Sequence, residues 1–223
     1  MKLVHIGLDT HITFDRDYVN EWVIESPNLF MQYIRELLNQ LNGKDGEFVL
    51  SEEEKIENIS KSVEIIINPF GVDINDKKIL NKIYDQLIDV ANNEKNYVYT
   101  HETTNSILRY LIDITNDSDY IMDIDEELDM SLLFKAAGVK IEGDDSDFLG
   151  NITKYIELVC GLLKRKLIIL INFRSYVCDN QYEEFIKMCR YKEINVLLME
   201  NHKNDCVSGV KQYILDSDRC EIF

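Results

Sequence analysis

Leu167-Ile168-Ile169-Leu170-Ile171 is an unbroken apolar run. A strand with one wet face alternates apolar and polar residues, so a run without alternation needs cover on both faces. A parallel sheet flanked by helices supplies that cover. A second buried run, Ile194 to Met199, follows the helix-spaced residues Tyr182, Phe185, Ile186 and Cys189. Strand, helix and strand in this order make a βαβ unit, with a right-handed crossover expected. The fold class expected is α/β.

The rest of the chain reads around that unit. Leu3 to Ile6 and Ile12 to Phe14 are short strands about a Gly7–Thr10 turn, and Trp22-Val23-Ile24 is a third extended piece. Ser26-Pro27 opens a helix, with serine as N-cap and proline at the first helical position. Its apolar face is Phe30, Tyr33, Ile34, Leu37, Leu38 and Leu41, and Gly43 closes it. Gly46 to Leu50 reads as a strand, and Ser51 with Glu54 has capping-box spacing for a helix start. Val63 to Ile67 reads as a buried strand ended by Asn68-Pro69.

From Asn75 the pattern turns helical. Ile79, Leu80, Ile83, Tyr84, Leu87 and Ile88 keep helical spacing to about Ala91. Asn92 to Thr104 reads as a polar bend, and Ile107, Leu108, Leu111 and Ile112 form a second amphipathic helix. Next come an acidic run, a short apolar helix Leu132–Ala137 ended by Gly138, and the extended Val139–Glu142. A long helix follows from Phe148 to Leu163, and Cys220–Phe223 is strand-like. The expected domains are an α/β head, 1–74 with 148–223, and a helical lobe inserted at 75–147.

The 223 residues carry a net charge of -17. Such a field repels nucleic acid, so any DNA contact needs locally gathered basic residues. Five cysteines, none in a C-x-x-C pair, argue against a zinc knuckle or disulfide framework and for a reducing cytoplasm. Met1 runs straight into Lys2–Ile6, and no apolar run approaches 18 residues, so neither a signal peptide nor a membrane span is expected.

Most site chemistry lacks its motif. There is no G-x-x-x-x-G-K-[ST] and no G-x-G-x-x-G; Asn68–Asp73, after the Val63–Ile67 strand, lacks the lysine and the paired glycines. ATP or NAD binding is not expected. No serine sits in G-x-S-x-G, and His5, His11, His101 and His202 are scattered. Asn201-His202-Lys203 lies beyond a strand's carboxyl end, where parallel sheets place ligands, but reads first as a polar loop. Glu53-Glu54-Lys55, with Asp45 upstream, has acid-x-Lys nuclease spacing, yet reads more simply as a capped, solvated helix start.

Two charged groups remain. Asp117 to Asp147 holds eleven acids and two lysines. It is either a solvated face or a collection of oxygen ligands for Ca²⁺, which takes six to eight. Asp123, Asp125, Glu126, Glu127 and Asp129 are its dense core, and it lacks the EF-hand glycine. The second group lies in Phe148–Lys203, which has nine basic and six acidic residues. Lys154, Lys164, Arg165, Lys166 and Arg174, with Lys135 and Lys140 from the lobe, are either ordinary surface cations or a backbone-binding patch.

The acidic run, the apolar turn after it and Gly138-Val139-Lys140-Ile141-Glu142 resemble the adaptation protein of type II-A CRISPR systems, as does the order of flanking segments. The resemblance implies a nucleotide-binding-like α/β domain, a degenerate phosphate-loop type, bearing a helical extension. It implies a homotetrameric ring that binds double-stranded DNA inside it, without sequence preference, beside the CRISPR integrase and the type II effector nuclease. It also implies calcium held by this stretch, with Asp123, Asp125, Glu126 and Glu127 matching best. The function expected is therefore a non-enzymatic, cytoplasmic, DNA-end-binding ring in spacer acquisition. The alternatives are a divalent-metal-dependent nuclease and a scaffold without DNA contact.

Overall fold

The computed structural model describes residues 1–9, 11–143 and 147–222. Thr10 of the expected first turn, Phe223 of the C-terminal strand, and Asp144 and Asp145 of the acidic count lie outside them. The chain divides into two compact units, 1–74 with 143–223, and 75–142.

The first unit begins with strands β1 (Lys2–His5), β2 (His11–Thr13) and β3 (Val19–Ile24), then helix α1 (Pro27–Leu41). Strands β4 (Phe48–Glu52) and β5 (Lys55–Glu57), the single turn α2 (Ile59–Ser62) and β6 (Val63–Ile66) follow. Beyond the second unit come α6 (Phe148–Leu162), β7 (Leu167–Ile171), α7 (Asp179–Tyr191), β8 (Val196–Glu200), β9 (Val210–Leu215) and β10 (Glu221–Ile222).

Two sheets result. One is antiparallel, in the order β2-β1-β4-β5. The other runs β10-β9-β3-β8-β7-β6, parallel except for the terminal β10. Every residue of β3, β7 and β8 is buried, as the unbroken apolar runs require. Burying one Leu or Ile contributes about 1.5–3 kcal/mol, so these strands dominate the unit's stability. On one face, Trp22, Ile169 and Met199 pack with Leu3, Phe48 and Leu50 of the antiparallel sheet and with Leu29, Tyr33 and Leu37 of α1. Helices α6 and α7 cover the other face, where Tyr155 Oη donates to Glu64 (2.9 Å) and Tyr182 Oη to Glu21 (2.8 Å).

The fold is α/β, with nucleotide-binding-like order: a central first parallel strand, β3, runs directly into a helix. Several local readings need correction. Ser51–Lys55 is no helix start. It is a hairpin, β4 to β5, closed by Glu53 and Glu54 at φ 46° and 68°. Two consecutive positive-φ residues make the type I′ turn that suits strand twist, but glutamates there carry no sequence signature for it. Val63–Ile66 is an edge strand paired only with β7. Ser26 stands at the N-cap of α1 without a side-chain capping bond. Strand β9, beside β3, was not expected; its Val210-Lys211-Gln212-Tyr213-Ile214-Leu215 mixes polar and apolar residues.

The second unit holds α3 (Lys77–Ala91), α4 (Tyr97–Asn116) and α5 (Met130–Ala136). Asp76 caps α3 by accepting from the Lys78 amide, and Asp129 caps α5 by accepting from Ser131 and Leu132. Tyr84 of α3 packs on Phe134 of α5 and donates to the Val139 carbonyl at 2.8 Å. The Asn75 side chain both donates to the Ile141 carbonyl (3.1 Å) and accepts from its amide (2.7 Å), fastening the two ends of the unit together. Tyr97 to Thr104, expected as a bend, is the first half of α4. Its aromatic and β-branched residues are weak helix formers, which hid it. Among the described residues, no helix is long and apolar enough to cross a membrane.

Non-glycine residues in the left-handed region each carry a conformational cost of about 1–2 kcal/mol. Replacing Glu53-Glu54 by Asn-Gly, the preferred type I′ pair, is expected to raise the melting temperature without moving the hairpin register. A calorimetric scan of the variant and the parent checks this.

Candidate functional site

The carboxyl ends of the parallel strands are where this fold class places ligands. A phosphate-binding loop would follow the central strand. Between β3 and α1 there are only Glu25 and Ser26, with no glycine and no lysine. The Asn68–Asp73 turn follows the edge strand β6 instead. The central strand β3, Val19-Asn20-Glu21-Trp22-Val23-Ile24, is interrupted by polar residues, so its turn stands out less in the sequence than the one after Val63–Ile67.

The end of β8 carries an arrangement that was not foreseen. Glu200 is buried, and its carboxylate accepts from the Arg174 amide at 3.1 Å. Burial pushes its pKa up to about 7; the Arg174 amide opposes this and the nearby Glu21 reinforces it. Glu21, also buried, accepts from Tyr182 Oη and from Gln212 Nε2 (2.6 Å). The Arg174 guanidinium stacks 4.0 Å over the Tyr182 ring and approaches Asp179 at 3.6 Å. Asn172, at φ 51°, ends β7 and accepts from the Asn201 amide through its side chain. His202 and Lys203 are exposed on the loop that follows.

Three of the basic residues expected to meet DNA are engaged by other groups of the unit. Lys166 bridges Glu52 (2.7 Å) and Glu57 (3.0 Å), binding the β4–β5 hairpin to the start of β7. Arg165 reaches Glu64 at 3.2 Å and donates to the Ser60 carbonyl at 2.8 Å. Arg174 packs on Tyr182, as described. A Lys-Arg-Lys triplet gives no hint of which members face inward. Lys164 is exposed at φ 57°, and Lys154 is half-buried on α6. On the second unit Lys135 and Lys140 are exposed, with the Lys135 ammonium 5.9 Å from the Tyr84 ring centre. Glu53-Glu54-Lys55, the nuclease-like triplet, spans the hairpin turn and the first residue of β5.

The acidic residues lie on the segment between α4 and α5. Asp123, Asp125, Glu126, Glu127 and Asp129 are exposed. Asp123 accepts from the Ile124 amide, and Asp129 serves as the α5 cap. Glu126 and Glu127 line a cavity of about 300 Å³ within this unit, facing Tyr97, His101, Thr104 and Asn105 of α4. Tyr97 and His101 stack in parallel, 6.1 Å apart. Among the described residues, no three of these carboxylates bring ligand atoms within 4.8 Å of one another.

The molecule thus belongs to the class of α/β proteins with a covered parallel sheet, here without room for a phosphate loop and carrying an acidic helical insertion. The chain belongs to the CRISPR-associated Csn2 family, which it matches over residues 40–219. It is 25% identical to the CRISPR-associated protein Csn2 of Enterococcus faecalis over 155 residues, 69% of each chain. It is also 25% identical to that of Streptococcus agalactiae over 160 residues, 69% of this chain and 68% of that one. Among solved structures it is similar to a dimeric ATP-binding cassette (8% identity, TM-score 0.36, 86% of this chain and 78% of that one). A putative ABC transporter ATP-binding protein from Pyrococcus furiosus gives 12% identity and a TM-score of 0.40, over 95% and 97% of the chains. Scores this low carry no argument about function.

Because the folded Glu200 holds its proton up to about pH 7, while an unfolded glutamate releases it near pH 4.3, the folded state binds more protons between these values. Its stabilising contribution is fully present below the unfolded pKa and is lost as pH rises through about 7. At 1.36 kcal/mol per unit the loss amounts to roughly 4 kcal/mol at most. Glu200→Gln should therefore flatten stability against pH between 5 and 8; urea denaturation across that range checks it.

Proposed function

We propose that this protein acts in CRISPR spacer acquisition as a non-enzymatic ring that binds double-stranded DNA ends without reading sequence. Family membership over residues 40–219 carries the reading. Ring assembly draws support from α4. It spans twenty residues and buries none of them. Val98, Tyr99 and Tyr110 are each more than 60% exposed, and Leu111, Ile112 and Ile114 are exposed as well. Helices in proteins draw most of their stability from packing an apolar face. A helix this apolar and this bare needs a partner, and copies of the same chain supply one in a closed homotetramer.

DNA would then be held by phosphate contacts, repeated by each subunit. Of the seven candidate cations, Arg165, Lys166 and Arg174 are engaged by other groups of their unit, while Lys164, Lys135 and Lys140 are exposed and Lys154 is half-buried. Calcium is the expected cofactor. Asp123, Asp125, Glu126, Glu127 and Asp129 supply oxygens, and Ca²⁺ accepts the irregular, flexible geometry such a segment offers. The CRISPR integrase and the type II effector nuclease are the expected partners, and the cytoplasm the expected location. A metal-dependent nuclease is disfavoured by the hairpin position of Glu53-Glu54-Lys55.

Four measurements test this. Lys164→Glu should weaken binding of all linear duplexes about equally and reduce the salt dependence, because phosphate contacts carry no base information. Arg165→Ala should instead lower stability by about 1.5–3 kcal/mol through lost charged hydrogen bonds. Covalently closed circles should bind poorly and regain binding on linearisation; equal affinity for both forms argues against threading. Excess Ca²⁺ should raise the melting temperature relative to chelator, and Glu126→Gln with Glu127→Gln should reduce that difference.

A further inference from the structure

His5, at the end of β1, is 5% exposed and boxed by the Tyr33 and Phe48 rings, with centres 4.8 and 4.7 Å away. Its Nε2 faces two carboxylates from different elements. Glu36 of α1 lies at 3.3 Å and Glu47, just before β4, at 3.6 Å. The three ligand atoms all fall within 4.8 Å of one another. Among the described residues, they are the one such set of three His, Cys, Asp or Glu groups.

Two observations point to a cation. First, Nε2 lies 3.3 and 3.6 Å from the two carboxylates, and donor atoms about 2.0–2.2 Å from a tetrahedral metal lie roughly 3.3–3.6 Å apart. Second, among the described residues neither Glu36 nor Glu47 has a lysine or arginine within ion-pair distance. Without an ion, Nδ1 accepts from the Gly7 amide at 3.1 Å, which leaves the ring proton on Nε2. Glu36 is further fixed by the Glu47 amide, which donates to its other oxygen.

We propose that His5, Glu36 and Glu47 form a site for a divalent first-row transition ion, Zn²⁺ being the natural occupant of one imidazole and two carboxylates, with water completing the shell. A nitrogen ligand and two carboxylates set this site apart from the all-oxygen chemistry of Ca²⁺. Binding at Nε2 requires that atom's lone pair, so the ring proton moves to Nδ1 and the Gly7 amide turns away. Gly7 is exposed in a turn and has no side chain to resist this. The ion would join β1, α1 and the edge of β4, securing the antiparallel sheet to the helix that follows the central strand.

The test uses the full chain with Ca²⁺ held in excess, titrated with Zn²⁺ and read by ring-nitrogen NMR and calorimetry. The expected result is one ion per chain and a His5 change from the Nε2–H to the Nδ1–H tautomer. Glu47→Gln, a change at a largely exposed residue, should weaken binding at least tenfold while leaving the metal-free fold intact. His202→Gln, at an exposed loop histidine, should change nothing. Zn²⁺ taken up with no change at His5, or with equal affinity in Glu47→Gln, would mean adventitious binding, for example at exposed cysteine thiols, and would overturn the proposal. So would an absence of stoichiometric binding.

Discussion

Three strands with no exposed residue can exist only where both faces of a sheet are covered, and β3, β7 and β8 impose that condition on everything around them. The antiparallel sheet and α1 are recruited to one face; α6 and α7 close the other. The covering layers also account for the placement of charge. A carboxylate that a sheet strand turns into these layers must find a partner, and Glu21 of β3, Glu64 of β6 and Glu200 of β8 each do so, through Tyr182, Arg165 and the Arg174 amide. A chain of net charge -17 thus uses part of its scarce positive charge internally.

The two units contrast sharply in how completely they are finished as single chains. The sheet unit has a continuous core. The helical unit holds Ile79 and Tyr84 of α3 buried, whereas no residue of α4 is fully buried.

Legibility from sequence followed the strength of the local pattern. Leu167–Ile171, Ile194–Met199 and the spacing from Ile79 to Ile88 left little choice, and the parallel α/β class followed from the first two. The hairpin at Glu53-Glu54 was hidden because its turn residues are atypical, and the first half of α4 because Tyr97-Val98-Tyr99-Thr100 has poor helix propensity. The acidic run was visible as composition, but which acids face a cavity depends on α4 lying opposite them. Likewise the triplet Lys164-Arg165-Lys166 is uniform in sequence and divided in space, because Glu52, Glu57 and Glu64 come from strands distant in the chain. His5 gave no signal at all: its neighbours Glu36 and Glu47 meet it only through tertiary packing.

The amide clasp between Asn75 and Ile141 has a consequence for how such a chain can change over time. By fastening the departing and returning strands of the insertion to each other, it makes the insertion a self-closed appendage with its own boundary condition. Loop-closure entropy rises only slowly with length. Helices beyond the clasp can therefore lengthen, shorten or be exchanged while the sheet experiences little more than a short surface excursion between residues 74 and 143. The reach of the appendage, and with it the size of any assembly it builds, becomes adjustable independently of the core that secures the fold.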